Sequence, residues 1–243
     1  MRYFIELAYK GTNYHGWQIQ PDAISIQEVI EKALSIKLQE KISLIGAGRT
    51  DTGVHASFFV AHFESNNNFD SQKLIYGLNN LIGKEIVIYK IYKVANDKHA
   101  RFDAISRTYE YRILQKRNPF LIETTSFFKE KLDVVLMNQA CKQLYNYSDF
   151  TSFSKLHTDT KTNNCKIMFA FWEQREDVLV FTITADRFLR NMVRAIVGTM
   201  LEVGTKKINI QEFSQIIEQK DRSKAGKSAP AEGLFLNQIV YPD

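Results

Sequence analysis

The order of hydrophobic patterns constrains this chain most, because the same succession of elements is legible twice. In the first half, Arg2–Tyr9 reads as a strand. Ser25-Ile26-Gln27-Glu28 then offers a capping box, and Ile26, Val29, Ile30, Ala33 and Leu34 follow on one helical face. Strands are predicted at Ile42–Gly46 and Ser57–Glu64, a helix from Ser71 presenting Leu74, Ile75, Leu78 and Ile82, and a strand at Glu85–Val94. The second half reads as a strand at Arg107–Leu114, a helix at Leu132–Leu144, and strands at Cys165–Glu173 and Val178–Thr184. A helix carrying Met192, Val193, Ile196, Val197, Met200 and Leu201 then stops at Gly204, where a C-terminal cap is expected. Asn209 and Glu212 cap a short extra helix, and Leu234–Val240 closes the chain as a strand.

Each half is therefore β-α-β-β-α-β, the order of ferredoxin-like and RRM-like domains. The expected fold is α+β, with halves 1–104 and 105–243 sharing a mixed, mainly antiparallel sheet that leaves a central cleft. No Gly/Ser/Pro-rich linker marks the boundary near 96–106, so firm packing of the halves is expected. The repeat is one of order only, since the two halves share no sequence similarity by eye.

A chain of 243 residues that is 44% hydrophobic can build a real core. Its longest apolar runs, such as Ile86–Tyr89 and Val178–Phe181, fall far short of the ~20 residues a membrane helix needs. Glu6 interrupts what would be the apolar region of a secretory signal. Cys141 and Cys165 have no paired spacing, which fits buried, reduced thiols in a cytoplasmic protein. His15, His55, His62, His99 and His157 form no helical ligand pair, so no metal site is expected.

The net charge of +5 is mild, and its placement says more. Lys98, Arg101, Arg107, Arg112, Lys116 and Arg117 alternate with Phe102, Tyr109 and Tyr111, while Lys220, Arg222, Lys224 and Lys227 crowd a later segment. Cations meet phosphates and flat rings meet unstacked bases, so this interleaving suits RNA. A solvated strand face with ordinary cross-strand aromatics accounts for it equally well.

The most unusual segment is Gly46-Ala47-Gly48-Arg49-Thr50-Asp51-Thr52-Gly53-Val54-His55-Ala56. Its glycines permit a tight turn and close backbone approach, and Arg49 and Asp51 stand two residues apart. A P-loop is excluded, since no lysine followed by Ser or Thr comes after the second glycine. A dinucleotide fingerprint is excluded because the third glycine comes too late and an aspartate faces the pyrophosphate position. Asp51-Thr52-Gly53 matches the triplet of aspartic peptidases. Those sites need two carboxylates sharing a proton, and a neighbouring arginine opposes sharing. A polar turn carrying a surface ion pair stays open on these residues alone.

The run Gly46–Ala56 resembles the catalytic signature of the TruA family of tRNA pseudouridine synthases. Four further segments are similar to the family in the same order: Tyr9–Gln18, His99–Ala104 with Arg107–Tyr111, Phe188–Arg194, and Ala231–Leu234. Thr52 stands where the family usually has alanine, and Lys10 where it usually has aspartate. The resemblance implies an enzyme without cofactor that isomerises uridine at positions 38, 39 and 40 of the tRNA anticodon stem-loop. It implies Asp51 as the nucleophile, with attack on the sugar and addition to the base ring both open to it. Tyr109 would stack on the target uracil and Arg194 would pair with the nucleophile; Arg49 would occupy the space the displaced base leaves or steady the displaced strand, with a phosphate contact equally open to its fork. A homodimer in the cytoplasm, each tRNA touching both subunits, is also implied.

Overall fold

The computed structural model describes residues 1–155 and 162–242; His157 lies outside them. The fold is α+β, with a mixed sheet and helices, and the chain divides into two compact units. One unit is Met1–Ile105 with Phe235–Asp243, and the other is Ser106–Leu234.

In the first unit, β1 (Arg2–Tyr9) lies between β3 (His55–Glu64) and β4 (Ile86–Val94), antiparallel to both. The other edge of β3 is shared. Short β2 (Ile45–Gly46) pairs with its far end, antiparallel, and Phe235–Leu236 of β9 (Leu234–Val240) pairs with its start, parallel. Helix α1 (Ile26–Leu38) buries Ile26, Ile30, Ala33, Leu34 and Leu38, while Val29, expected on the same face, is half-buried. It packs beside α2 (Ser71–Asn79), which buries Leu74 and Leu78.

Two local expectations change here. The Ser25 hydroxyl does accept the Glu28 amide, but the Glu28 carboxylate reaches forward to Lys32 instead of back to the cap. The strand expected over Ile42–Gly46 pairs only at Ile45–Gly46. Side chains of α1 take the missing ladder bonds: Ser35 Oγ accepts the Ile42 amide, and Glu31 accepts the Leu44 amide.

In the second unit, β8 (Val178–Ala185) runs antiparallel between β5 (Ser106–Leu114) and β7 (Ile167–Arg175). A short β6 (Ser126–Phe127), absent from the sequence expectation, adds to β5 in parallel. Helix α3 (Val134–Gln143) starts two residues later than its pattern, because Asp133 caps it by accepting the Leu136 amide. It packs against β7 and α4 (Met192–Gly204). Buried Trp172 donates its indole N–H to Met200 Sδ at 3.2 Å, beside buried Cys141. Both cysteines are free and buried, and burial pushes their thiols up, so they belong to the core.

Gly204 is not the left-handed cap its position suggests. It ends α4 pressed against Met137 and Leu132, where a Cβ would collide, and Lys206 takes the left-handed turn at φ 60°. The capping box of α5 (Ile210–Glu218) is complete, with Asn209 and Glu212 exchanging both bonds. Among the described residues no helix is long and apolar enough to cross a membrane.

Candidate active site

The segment 46–54 leaves β2 and turns back into β3. Its last part is a four-residue turn, in which the Val54 amide donates to the Asp51 carbonyl at 3.1 Å. Gly53 sits third in this turn at φ 79°, a backbone region that glycine enters without strain. Asp51 is thereby half-buried at the head of the turn, while Arg49 and Thr52 are exposed.

The turn is gripped by the residues after β1. The Trp17 amide donates to the Thr50 carbonyl and the Gly53 amide to the Tyr14 carbonyl, both at 3.3 Å. The Tyr9 phenol and Thr50 hydroxyl share a hydrogen bond of 2.8 Å. Gly16, at φ 84°, lies so close that a Cβ would overlap the Thr50 carbonyl oxygen; at Gly11 it would overlap the Val54 carbonyl. Below the turn, Trp17 stacks on Phe59 with centroids 4.1 Å apart. Buried His55 accepts the Gly11 amide on Nδ1 and stacks on Phe235.

Sequence alone gives the motif Tyr9–Gln18 no task. In the fold its task is to fix the backbone on either side of Asp51. The signal is present in the spacing Gly11…Gly16-Trp17, two glycines within one short loop, but close approach to a distant loop cannot be read from one segment. His55, one of the histidines weighed as metal ligands, is instead a buried acceptor holding the two loops together.

Tyr109 and Arg194 belong to the second unit. Tyr109 lies on β5, half-buried, with Phe188 edge-on to its ring at 5.1 Å and 83°. Phe188 opens a segment that the sequence singles out, but its place beside Tyr109 is not readable there. Arg194 sits in the first turn of α4, where a cation opposes the helix dipole at a cost of ~0.3–1 kcal/mol. Its position is therefore not explained by helix stability. Its Nε donates to the Ala229 carbonyl at 2.7 Å, and the Ala229 amide returns a bond to the Arg194 carbonyl. The neighbouring Pro230 carbonyl accepts from Tyr111, whose phenol pKa is pushed up by burial.

The first unit thus holds a carboxylate on a turn fixed by its backbone, and the second carries a tyrosine met edge-on by Phe188 and an arginine tied to the Ala229 carbonyl. Residues 140–242 match a protein-family model described as tRNA pseudouridine synthase. Curated relatives named tRNA pseudouridine synthase A extend the likeness along the chain. The one from Bacteroides fragilis is 56% identical, covering 99% of this chain and 96% of the relative. Those from Parabacteroides distasonis and Acetivibrio thermocellus are 53% and 40% identical, covering 100% and 97% of this chain and 96% and 97% of themselves. The chain belongs to the TruA family of tRNA pseudouridine synthases, isomerases that act on uridine in tRNA.

Proposed function

We propose that the enzyme acts on uridines 38, 39 and 40 of the anticodon stem-loop with Asp51 as its nucleophile. Each unit is further proposed to be a ferredoxin-like or RRM-like repeat, with the halves 1–104 and 105–243. The observation that carries the reading is the grip on the turn around Asp51, by Gly11, Gly16 and the backbone bonds to Thr50 and Gly53. A carboxylate needs this restraint if it is to meet one carbon of a flipped nucleotide repeatedly.

The reaction breaks N1–C1′, turns the uracil and joins C5 to C1′. A carboxylate can add to the electron-poor centre and later leave, so its charge is used and restored. Tyr109 is proposed to stack on the uracil while it is detached, and Arg194 to pair with the nucleophile. Arg49 is proposed to fill or steady the space left in the RNA stack. These roles rest on the family resemblance and on the residue chemistry. So do the homodimer and the cytoplasmic location; a monomer in sedimentation equilibrium with and without tRNA would overturn the former.

Forming the C5–C1′ bond releases the hydrogen at C5. Unmodified tRNA carrying tritium at C5 of uridine is expected to lose label to water on adding enzyme. Transcripts retaining uridine only at 38, only at 39 or only at 40 should each release it, and one lacking all three should not. Asp51→Asn is expected to release none while keeping tRNA affinity within a few-fold, because phosphate contacts supply most of the affinity. Release by Asp51→Asn at the parent rate would remove Asp51 as nucleophile, and release from the transcript lacking all three uridines would overturn the site assignment.

A further inference from the structure

After β4 the chain makes a tight knuckle, His99–Ala104, with every amide from 99 to 103 held by a nearby acceptor. The His99 amide donates to Asp103 Oδ2 at 2.7 Å, and the Asp103 amide returns to the His99 carbonyl at 3.1 Å. His99 Nδ1 accepts the amides of Arg101 and Phe102, at 3.1 and 3.2 Å. The Ala100 amide donates to Nδ1 of buried His62 at 3.1 Å, and Tyr241 donates its phenol to the Ala100 carbonyl at 2.6 Å. Ala100 and Ala104 are buried; Arg101 is exposed and Phe102 is 74% exposed.

Such a backbone is stiff, yet it presents a large ring to water, where the ring adds little to folding. The Arg101 guanidinium lies 5.7 Å from the centroid of that ring, and the His99 ring lies 4.2 Å from it. A cation and a flat ring on adjacent residues match the two parts of one nucleotide, phosphate and base. In a duplex both faces of a base are already stacked, so the complementary nucleotide is an unpaired one.

We propose that Arg101 and Phe102 hold one unpaired nucleotide of the substrate tRNA, Phe102 stacking on its base and Arg101 meeting its phosphate. The proposal rests on tRNA being the substrate and does not depend on which carboxylate performs the chemistry. The knuckle fixes the backbone of both residues in advance, so binding need not order that backbone.

Direct binding of unmodified tRNA to the full chain tests this. Phe102→Ala and Phe102→Leu are expected to weaken binding about 5- to 100-fold, while Phe102→Trp retains it, because stacking needs a π face and not merely apolar bulk. Arg101→Ala should lower the slope of log affinity against log salt by about one, and the Phe102 variants should leave that slope unchanged. In single-turnover assays the loss should appear in the half-saturating enzyme concentration, with the plateau rate kept. Parent-like affinity in Phe102→Leu overturns the proposal, since bulk would then suffice. A fall in melting temperature that parallels the affinity loss overturns it too, making the ring a fold element. So does weaker self-association in sedimentation, which would make the knuckle a contact between copies. If the parent protein released no tritium from tRNA, the catalytic reading would fail while these binding measurements still decided the proposal.

Discussion

Single residues carry the tightest constraints around Asp51. Gly16 combines a left-handed φ of 84° with backbone contact to Thr50 and Asp51, so any side chain meets strain and overlap at once. Gly16→Ala is expected to destabilise the protein by ~1–3 kcal/mol, with activity falling further than stability because the turn holding the carboxylate must shift. Urea unfolding alongside tritium release at a temperature where both variants are folded checks this; full activity in a folded variant would show that the grip is dispensable. The three-glycine turn and its aspartate were legible in the sequence, since the residue types alone distinguish them from a P-loop. Phe188 beside Tyr109 and the Ala229 carbonyl on Arg194 were not, because each partner is dozens of residues away and of ordinary type.

At the scale of elements, sequence periodicity located helices and strands well wherever one face had to be buried. It failed where a side chain replaced a backbone partner, as Ser35 and Glu31 do at Ile42 and Leu44, and where Asp133 cut α3 short. It also misread Gly204, because a glycine after an apolar run signals a cap and a close helix crossing equally well. The join between β3 and the knuckle at 99–104 depends on a charge state that no local pattern reveals. His62 accepts the Ala100 amide as a neutral ring; burial first, then His99 and Arg2, lower its pKa from 6.5 to about 4, against Glu64 and Asp103. The unfolded chain takes up a proton below about 6.5 that the folded ring refuses. Stability is therefore complete above that pH, falls as pH drops toward about 4, and loses no more from this residue below it. His99, whose pKa burial also lowers, adds to the same slope. His62→Asn keeps an acceptor without a titration, so its melting temperature should depend less on pH between 4 and 6.5. A parent-like pH slope in that variant would exclude His62 as its source.

For the whole molecule, the mild positive charge acts through where its cations stand. Of the basic cluster at 220–227, two members are occupied by structure. Lys220 pairs with Asp149 at 3.0 Å, and Arg222 donates to the Ala225 and Gly226 carbonyls and to Ser228 Oγ. Lys224 and Lys227 stand exposed on the loop that Arg222 shapes. Lys224→Ala with Lys227→Ala is expected to weaken tRNA binding and flatten its salt dependence by up to about two, one for each phosphate left without its lysine. An unchanged slope in filter binding across salt would mean that this loop does not meet the RNA backbone. The sequence showed the cluster but not this division of labour, which depends on carbonyls that only the folded loop turns toward Arg222.

The interlocked glycines have a consequence for transplantation. Because Gly11 and Gly16 press directly on the backbone of 50–54, with no side chain between to absorb a misfit, the segments 9–18 and 46–56 form one cassette. A chimera that imports either segment alone from a distant relative must reproduce its host's backbone path to a fraction of an ångström. A chimera that imports both brings the matching surface with it, and Asp51 arrives already seated.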